Sequence, residues 1–279
     1  MATTREATRR RSAGGADASD LEIEQRGSIL VLTLARPDRR NSLSEAMLRA
    51  LLGAIAQAGR DRAVRAVVLA AKGSVFCAGH DLKELTARRA DADGGRAYTE
   101  MVMRLCSTVM QSIVRCPKPV IAAVQGTASA AGCQLVATCD LAVAAQEASF
   151  CTPGVNIGLF CSTPMVALTR NLSRKRAMEM LLLGDMLPAS EAAEYGLVNR
   201  VVAADKVMDE ALALADRIAS KPPVTVATGK EAFYRQIEMP LAEAYDYAAG
   251  VMVANMMHAE AEEGIGAFIE KRPPDWDKS

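Results

Sequence analysis

The chain has no charge to spare. Lys plus Arg and Asp plus Glu each number 33 in 279 residues, so nothing global draws it to nucleic acid or to an anionic membrane. No run is both long and charge-free enough to span a bilayer. The longest low-charge stretch, Pro119 to Cys139, is broken by Gly, Gln, Ser and Thr and belongs in a core. Histidine is scarce, with two in the chain, and no His/Cys/Asp set has metal-ligand spacing, so no metal is implied. A Gly-rich phosphate loop and an aromatic-interleaved basic patch are also lacking, which leaves flavin, nicotinamide and nucleic-acid functions without support. The seven cysteines show no CxxC spacing. They read as reduced, buried thiols in a reducing compartment, not as a disulfide framework or zinc site.

What is present is apolar and patterned. Half of the residues are hydrophobic, enough for a sizeable core. Residues 1–20 are polar, with Arg5, Arg9, Arg10 and Arg11 among small residues. They are expected to be a disordered tail in a cytoplasmic protein, with a mitochondrial matrix address as the alternative. From Leu21 to Ala35 the pattern alternates around Gly27, which predicts a β-hairpin. Ser44 then caps an amphipathic helix carrying Met47, Leu48, Leu51 and Ile55 on one stripe. An apolar strand is predicted at Ala66–Ala71, a long helix through Tyr98, Val102 and Met110, and further strands at Val120–Val124 and Leu141–Ala144. The loop around residues 91–96 is expected to be mobile. After Pro164 the chain reads as mostly helical: a helix over Thr169–Leu183, a short strand over Leu197–Val202, and one last long helix from Pro240 to Arg272. A strand, strand, helix pattern with short connections fits an α/β fold of stacked layers.

Two segments carry the chemistry. One, Gly73 to Glu84, follows a strand and runs into a helix whose start Asp81 can cap. The other is a cluster of very small residues, Gly126 to Gly132, that opens a short helix-like piece over Cys133–Thr138. Small residues leading into a helix N-terminus leave backbone N–H groups free for a developing negative charge. The two segments together resemble the crotonase (enoyl-CoA hydratase/isomerase) family. AGHDL at Ala78–Leu82 is similar to its A-G-x-D-[LI] signature, and AAGCQLVATCD at Ala130–Asp140 to its G-G-G-x-x-L-x-x-x-C-D segment.

That resemblance implies a spiral of repeated ββα units over residues 21–205, followed by a helical C-terminal region over 206–279 that makes homotrimers or dimers of trimers. It implies an acyl- or enoyl-CoA thioester substrate in fatty-acid metabolism, with coenzyme A as part of that substrate and no tightly bound cofactor. The family's oxyanion hole falls on the backbone N–H groups of His80 and Ala131. Its two hydratase glutamates fall on Gln134 and Gly154, neither of which can move a proton as a carboxylate does. Efficient hydration by the usual route is therefore not expected. The remaining options are isomerisation, thioester hydrolysis, decarboxylation or slow hydration with a replacement base, His80 or a cysteine among Cys133, Cys151 and Cys161. A non-catalytic acyl-CoA binder is the alternative. Contacts to coenzyme A are implied at Ala78, Lys83 and Arg39 or Arg40, and at Phe268 and Lys271 reaching a neighbouring subunit's ligand.

Overall fold

The computed structural model describes residues 9–10 and 20–276. Of the expected tail, only β1 (Arg9–Arg10), paired antiparallel with Glu24 and Gln25, and Asp20 lie within the described residues. The hairpin forms as β2 (Leu21–Arg26) and β3 (Ile29–Leu34). Ser44 accepts the Met47 N–H at the start of α1 (Glu45–Arg60), whose buried stripe of Met47, Leu48, Leu51 and Ile55 packs on α3 (Arg96–Arg115).

A repeating unit then builds the core. β4 (Ala66–Ala71), β5 (Val75–Cys77) and α2 (Leu82–Ala87) form the first. β6 (Val120–Val124), β7 (Thr127–Ser129) and α4 (Ala131–Thr138) form the second. β8 (Leu141–Ala145), β9 (Ser149–Cys151) and, after a 3-10 turn, α5 (Pro164–Leu168) form the third. The first strand of each unit joins a seven-stranded sheet, in which β3, β4, β6 and β8 run parallel. The second strand joins a four-stranded sheet, in which β5, β7 and β9 run parallel. This is the expected ββα spiral. The long strands are β-branched and Ala-rich throughout because a parallel sheet covered on both faces has no solvated side to make polar; all five residues of β6 are buried. The second sheet itself was not legible in the sequence. Its strands in these units are three residues each, too short to show a period.

Beyond the spiral lie α6 (Arg174–Leu183), β10 (Leu187–Pro188), α7 (Ala189–Glu194), β11 (Arg200–Val202) and α8 (Val207–Ala219). They are followed by α9 (Pro223–Gln236), α10 (Leu241–Met256) and α11 (Ala259–Glu270). Two helical expectations need correction. The helix expected from Thr169 instead starts at Arg174, after a turn through Asn171 and Leu172. The single last helix is two, because His258 adopts extended backbone (ψ 146°) and its Nδ1 accepts the Glu260 N–H, capping a new helix. Glu260, buried, in turn accepts the N–H groups of Val224 and Thr225 at the start of α9. Helix α8 packs across β4, β6 and β8, so it covers the spiral, and the outlying helices begin at Pro223. Around residues 91–96, where a mobile loop was expected, the chain turns and Asp93 accepts the N–H groups of Gly95 and Ala97 at the start of α3.

The outlying helices are fastened to the spiral by one buried ion pair. Lys230 Nζ donates to Asp140 Oδ2 at 2.6 Å and to the carbonyls of Ile113 and Lys118. Asp140 also accepts from the Val120 N–H and the Tyr234 hydroxyl. Among the described residues no helix is long and apolar enough to cross a membrane.

Candidate active site

The two segments singled out by the sequence meet just after β5 and β7. After β5 the chain runs alongside the residues preceding α1: Ala78 N–H donates to the Arg40 carbonyl, Leu43 N–H to the Gly79 carbonyl, and Asp81 N–H to the Leu43 carbonyl. These bonds hold the backbone on both sides of His80 and leave the His80 N–H itself without an acceptor among the described residues. Asp81 accepts the N–H groups of Lys83 and Glu84, as its expected capping role requires.

Ala131 is the first residue of α4, where the helix leaves N–H groups unpaired. Its N–H also has no acceptor among the described residues. A Cβ built on Gly79 would sit 3.3 Å from the Ala131 nitrogen and 3.1 Å from the Ser129 carbonyl, so the two segments touch at this point. A Cβ on Gly132 would lie 2.2 Å from the Cys77 carbonyl oxygen, which makes glycine obligatory for the approach. Between them, Ala130 is held at φ 49° and ψ −116°, outside the usual range for an L-residue, by an N–H bond to the Cys151 carbonyl at 2.9 Å. Such strain costs about 1–3 kcal/mol and clusters at functional sites. Two unpaired backbone donors at a strained, close-packed junction can stabilise a negative charge on a ligand oxygen.

The positions of the two glutamates differ from each other. Gln134 lies one helical turn after Ala131 on the same face, is 4% exposed, and its Oε1 is buried with no hydrogen-bond partner among the described residues. A side chain is present there, but it is an amide. Gly154, in the 3-10 turn Pro153–Ile157, is not merely lacking a carboxylate. A Cβ there would stand 2.7 Å from the Leu159 carbonyl oxygen and 2.9 Å from the Cys161 sulfur. The space has been closed, which the sequence did not reveal. Gly154→Glu is accordingly expected to cost about 1–3 kcal/mol through overpacking, read as a fall in the thermal melting temperature. A variant that melts like the parent would contradict this packing.

The replacement bases fare unequally. Burial holds the His80 ring's pKa below its ordinary value, against a weaker opposing contact from the Leu43 backbone, so the ring is neutral at neutral pH. Among the described residues, both ring nitrogens are buried without a hydrogen bond of good geometry, and no carboxylate orients them. Burial also raises the thiols: Cys133 strongly, Cys151 despite a bond to the Ser129 hydroxyl, and Cys161 despite a contact to the Gly154 backbone. They are protonated packing groups, as their apolar neighbours suggested, and poor nucleophiles in that form.

Of the expected coenzyme A contacts, Arg39 and Lys83 come together. They line one surface cavity of about 510 Å³ with Arg36, Ser44 and Asp81. Arg40 does not line it; its backbone is left-handed (φ 50°) and its carbonyl is the acceptor for Ala78. The residue that shapes this loop was missed. Asn41 is fully buried, accepts the Arg36 N–H, and donates to the carbonyls of Lys72 and Val75, pinning the loop to the strand that leads to His80. An Asn in a turn is common enough that nothing in the sequence set it apart. Phe268 and Lys271 sit at the end of α11, which packs on α9 and α10, and Phe268 is 83% exposed.

Comparison with known proteins agrees with this geometry. Residues 24–279 match the family model described as enoyl-CoA hydratase/isomerase. The chain is 46% identical to the rat protein named enoyl-CoA hydratase domain-containing protein 3, mitochondrial, over 90% of this chain and 82% of that one. A solved enoyl-CoA hydratase from Mycobacterium smegmatis is 51% identical with a TM-score of 0.88, covering 92% and 99% of the two chains. The crystal structure of human enoyl-CoA hydratase domain-containing protein 3 is 44% identical with the same TM-score of 0.88, covering 92% and 100%. With the spiral fold and the likeness both running through the strands that carry His80 and Ala131, the chain belongs to the enoyl-CoA hydratase/isomerase family.

Proposed function

We propose that this protein binds an acyl- or enoyl-CoA thioester, with its carbonyl oxygen between the N–H groups of His80 and Ala131, and that its chemistry rests on this hole instead of on a pair of carboxylates. The observation that carries the reading is the contrast within the site. Both backbone donors are unpaired among the described residues and held by close packing, whereas position 134 is an amide and position 154 has no room for a side chain. Reactions that need charge stabilised at the thioester oxygen remain open: double-bond isomerisation, thioester hydrolysis, decarboxylation, or hydration slowed by the missing acid and base. A second reading, a non-catalytic acyl-CoA binder, is favoured by the state of the nearby titratable groups, since His80 is neutral and the thiols are protonated.

Arg39 and Lys83 are proposed to meet the phosphates of coenzyme A. Trimeric assembly is proposed to cover the exposed Leu241, Tyr245, Met252, Met256 and Phe268 of the outlying helices, and to bring Phe268 and Lys271 to a neighbour's ligand. The rat and human relatives named mitochondrial support the mitochondrial alternative. The test is a calorimetric titration of butyryl-CoA into the wild type and Lys83→Ala. Saturable binding weakened about tenfold by the substitution is expected, the scale of one lost charge-assisted contact. Absence of binding by the wild type would overturn the proposal.

A further inference from the structure

Residues 36–44 form an arch between β3 and α1 that faces two places at once. On one side Arg36, Arg39 and Ser44 line the cavity of about 510 Å³ that Lys83 also lines. On the other, the Arg40 carbonyl accepts the Ala78 N–H, the Gly79 carbonyl accepts the Leu43 N–H, and the Leu43 carbonyl accepts the Asp81 N–H. His80 lies between these bonds, opposite Leu43. The cavity and the backbone that presents the His80 N–H are therefore two faces of one loop.

The side chain that holds this loop is Asn41. Arg40 and Asn41 are both left-handed (φ 50° and 51°), a conformation that residues other than glycine reach at a cost. The Asn41 N–H donates to the Arg36 carbonyl and its Oδ1 accepts the Arg36 N–H, both at 2.9 Å, which closes the arch on itself. Both hydrogens on Nδ2 point away from the arch, to the carbonyls of Lys72 and Val75 at 2.8 Å each. The Arg36 N–H can only donate and the two carbonyls can only accept, so the orientation of the amide is fixed and an aspartate could not replace it. Packing repeats the link, since a Cβ on Gly73, in the turn between β4 and β5, would stand 2.7 Å from the Pro37 Cβ.

We propose, resting on the reading of the His80 N–H as a donor to the thioester oxygen, that Asn41 is a positioning residue that makes the arch and the oxyanion hole one piece. It is fully buried and acts only through the backbone it holds. Phosphate contacts at Arg36 and Arg39 then favour the backbone placement in which the His80 N–H meets the carbonyl. By linkage, the carbonyl contact favours the phosphate contacts to the same extent.

The experiment records the infrared stretch of a carbon-13-labelled thioester carbonyl bound to the full chain, in butyryl-CoA and in butyryl-pantetheine, which carries no phosphate. A carbonyl gripped by two N–H groups is polarised and absorbs at lower frequency. The wild type is expected to give a downshift that is larger with the CoA thioester than with the pantetheine thioester. In Asn41→Gly, glycine accepts the left-handed backbone and only the side-chain bonds are lost. There the downshift should be largely lost and become alike for the two ligands. The Kd for butyryl-CoA should rise by about tenfold at most, the scale of one weakened hydrogen bond to the thioester oxygen. If Asn41→Gly does not fold, Gly73→Ala, whose Cβ would press Pro37 away from the turn, is expected to give the same loss. A variant that melts at a lower temperature but keeps the full downshift would make Asn41 a structural residue only and overturn the inference. Equal wild-type downshifts for the two ligands would overturn it as well, with the hole left standing. Binding of butyryl-CoA to the wild type without any downshift would overturn the hole itself.

Discussion

Replacing Ala131 with proline is expected to abolish most thioester chemistry while leaving the fold intact. A backbone donor cannot be removed by truncating a side chain, but proline has no N–H to offer. Ala131 is the first residue of α4, a position where proline fits the helix and the missing N–H disrupts no intrahelical bond. The residue before a proline is itself restricted, and Ala130 already holds φ 49°. The substitution is therefore best made with Ala130→Gly, which relieves that strain. Loss of one oxyanion donor costs about 3 kcal/mol of transition-state stabilisation, or roughly a hundred- to a thousandfold in rate. Whichever reaction the wild type performs on a CoA thioester should fall by that factor against the Ala130→Gly control, with an unchanged circular dichroism spectrum. A double variant as active as that control would remove the Ala131 N–H from the mechanism.

A comparable effect, on stability instead of rate, is expected from Lys230→Met. The Lys230 and Asp140 side chains are 6% and 15% exposed, so neither charge can turn to bulk water when the other is lost. The substitution deletes three hydrogen bonds from Nζ and leaves the Asp140 carboxylate with the Val120 N–H and the Tyr234 hydroxyl. Breaking a buried pair from one side costs about 3–5 kcal/mol, mostly because a charge remains buried and unpaired. The melting temperature should drop by about 10 °C, and α9 to α11 should become the first segment cut in limited proteolysis. Adding Asp140→Asn removes the orphan charge and should restore part of the loss. Additive damage from the two substitutions would show that the pair is not coupled as described.

The segments proposed to make the hole were legible because their chemistry is local: a strand, a run of very small residues, a helix start. Ser44 and Asp81 could be recognised as caps for the same reason, since the bonds they make span at most three residues. What stayed hidden depends on contacts between distant parts of the chain. Lys230 and Asp140 are 90 residues apart, and each reads alone as an ordinary surface charge. Asn41 reaches the carbonyls of Lys72 and Val75, 31 and 34 residues on. Gly154 could be seen to lack a carboxylate, but the Leu159 carbonyl and Cys161 sulfur that fill its side-chain space could not. The break at His258 was masked by Ala- and Met-rich helix formers on the α10 side, and only the cap geometry reveals it.

The central claim is that the oxyanion hole has been kept while the hydratase acid and base have not. The measurement that bears on it most directly is crotonyl-CoA hydration at high protein concentration, followed by loss of the conjugated enoyl-thioester absorbance, with binding of the same compound measured in parallel. The expected result is clear binding with hydration reduced by about a hundredfold or more relative to an enzyme with both carboxylates, the scale of general acid–base catalysis. Rapid hydration by the wild type would contradict the account and require a base that the geometry around Gln134 and Gly154 does not provide.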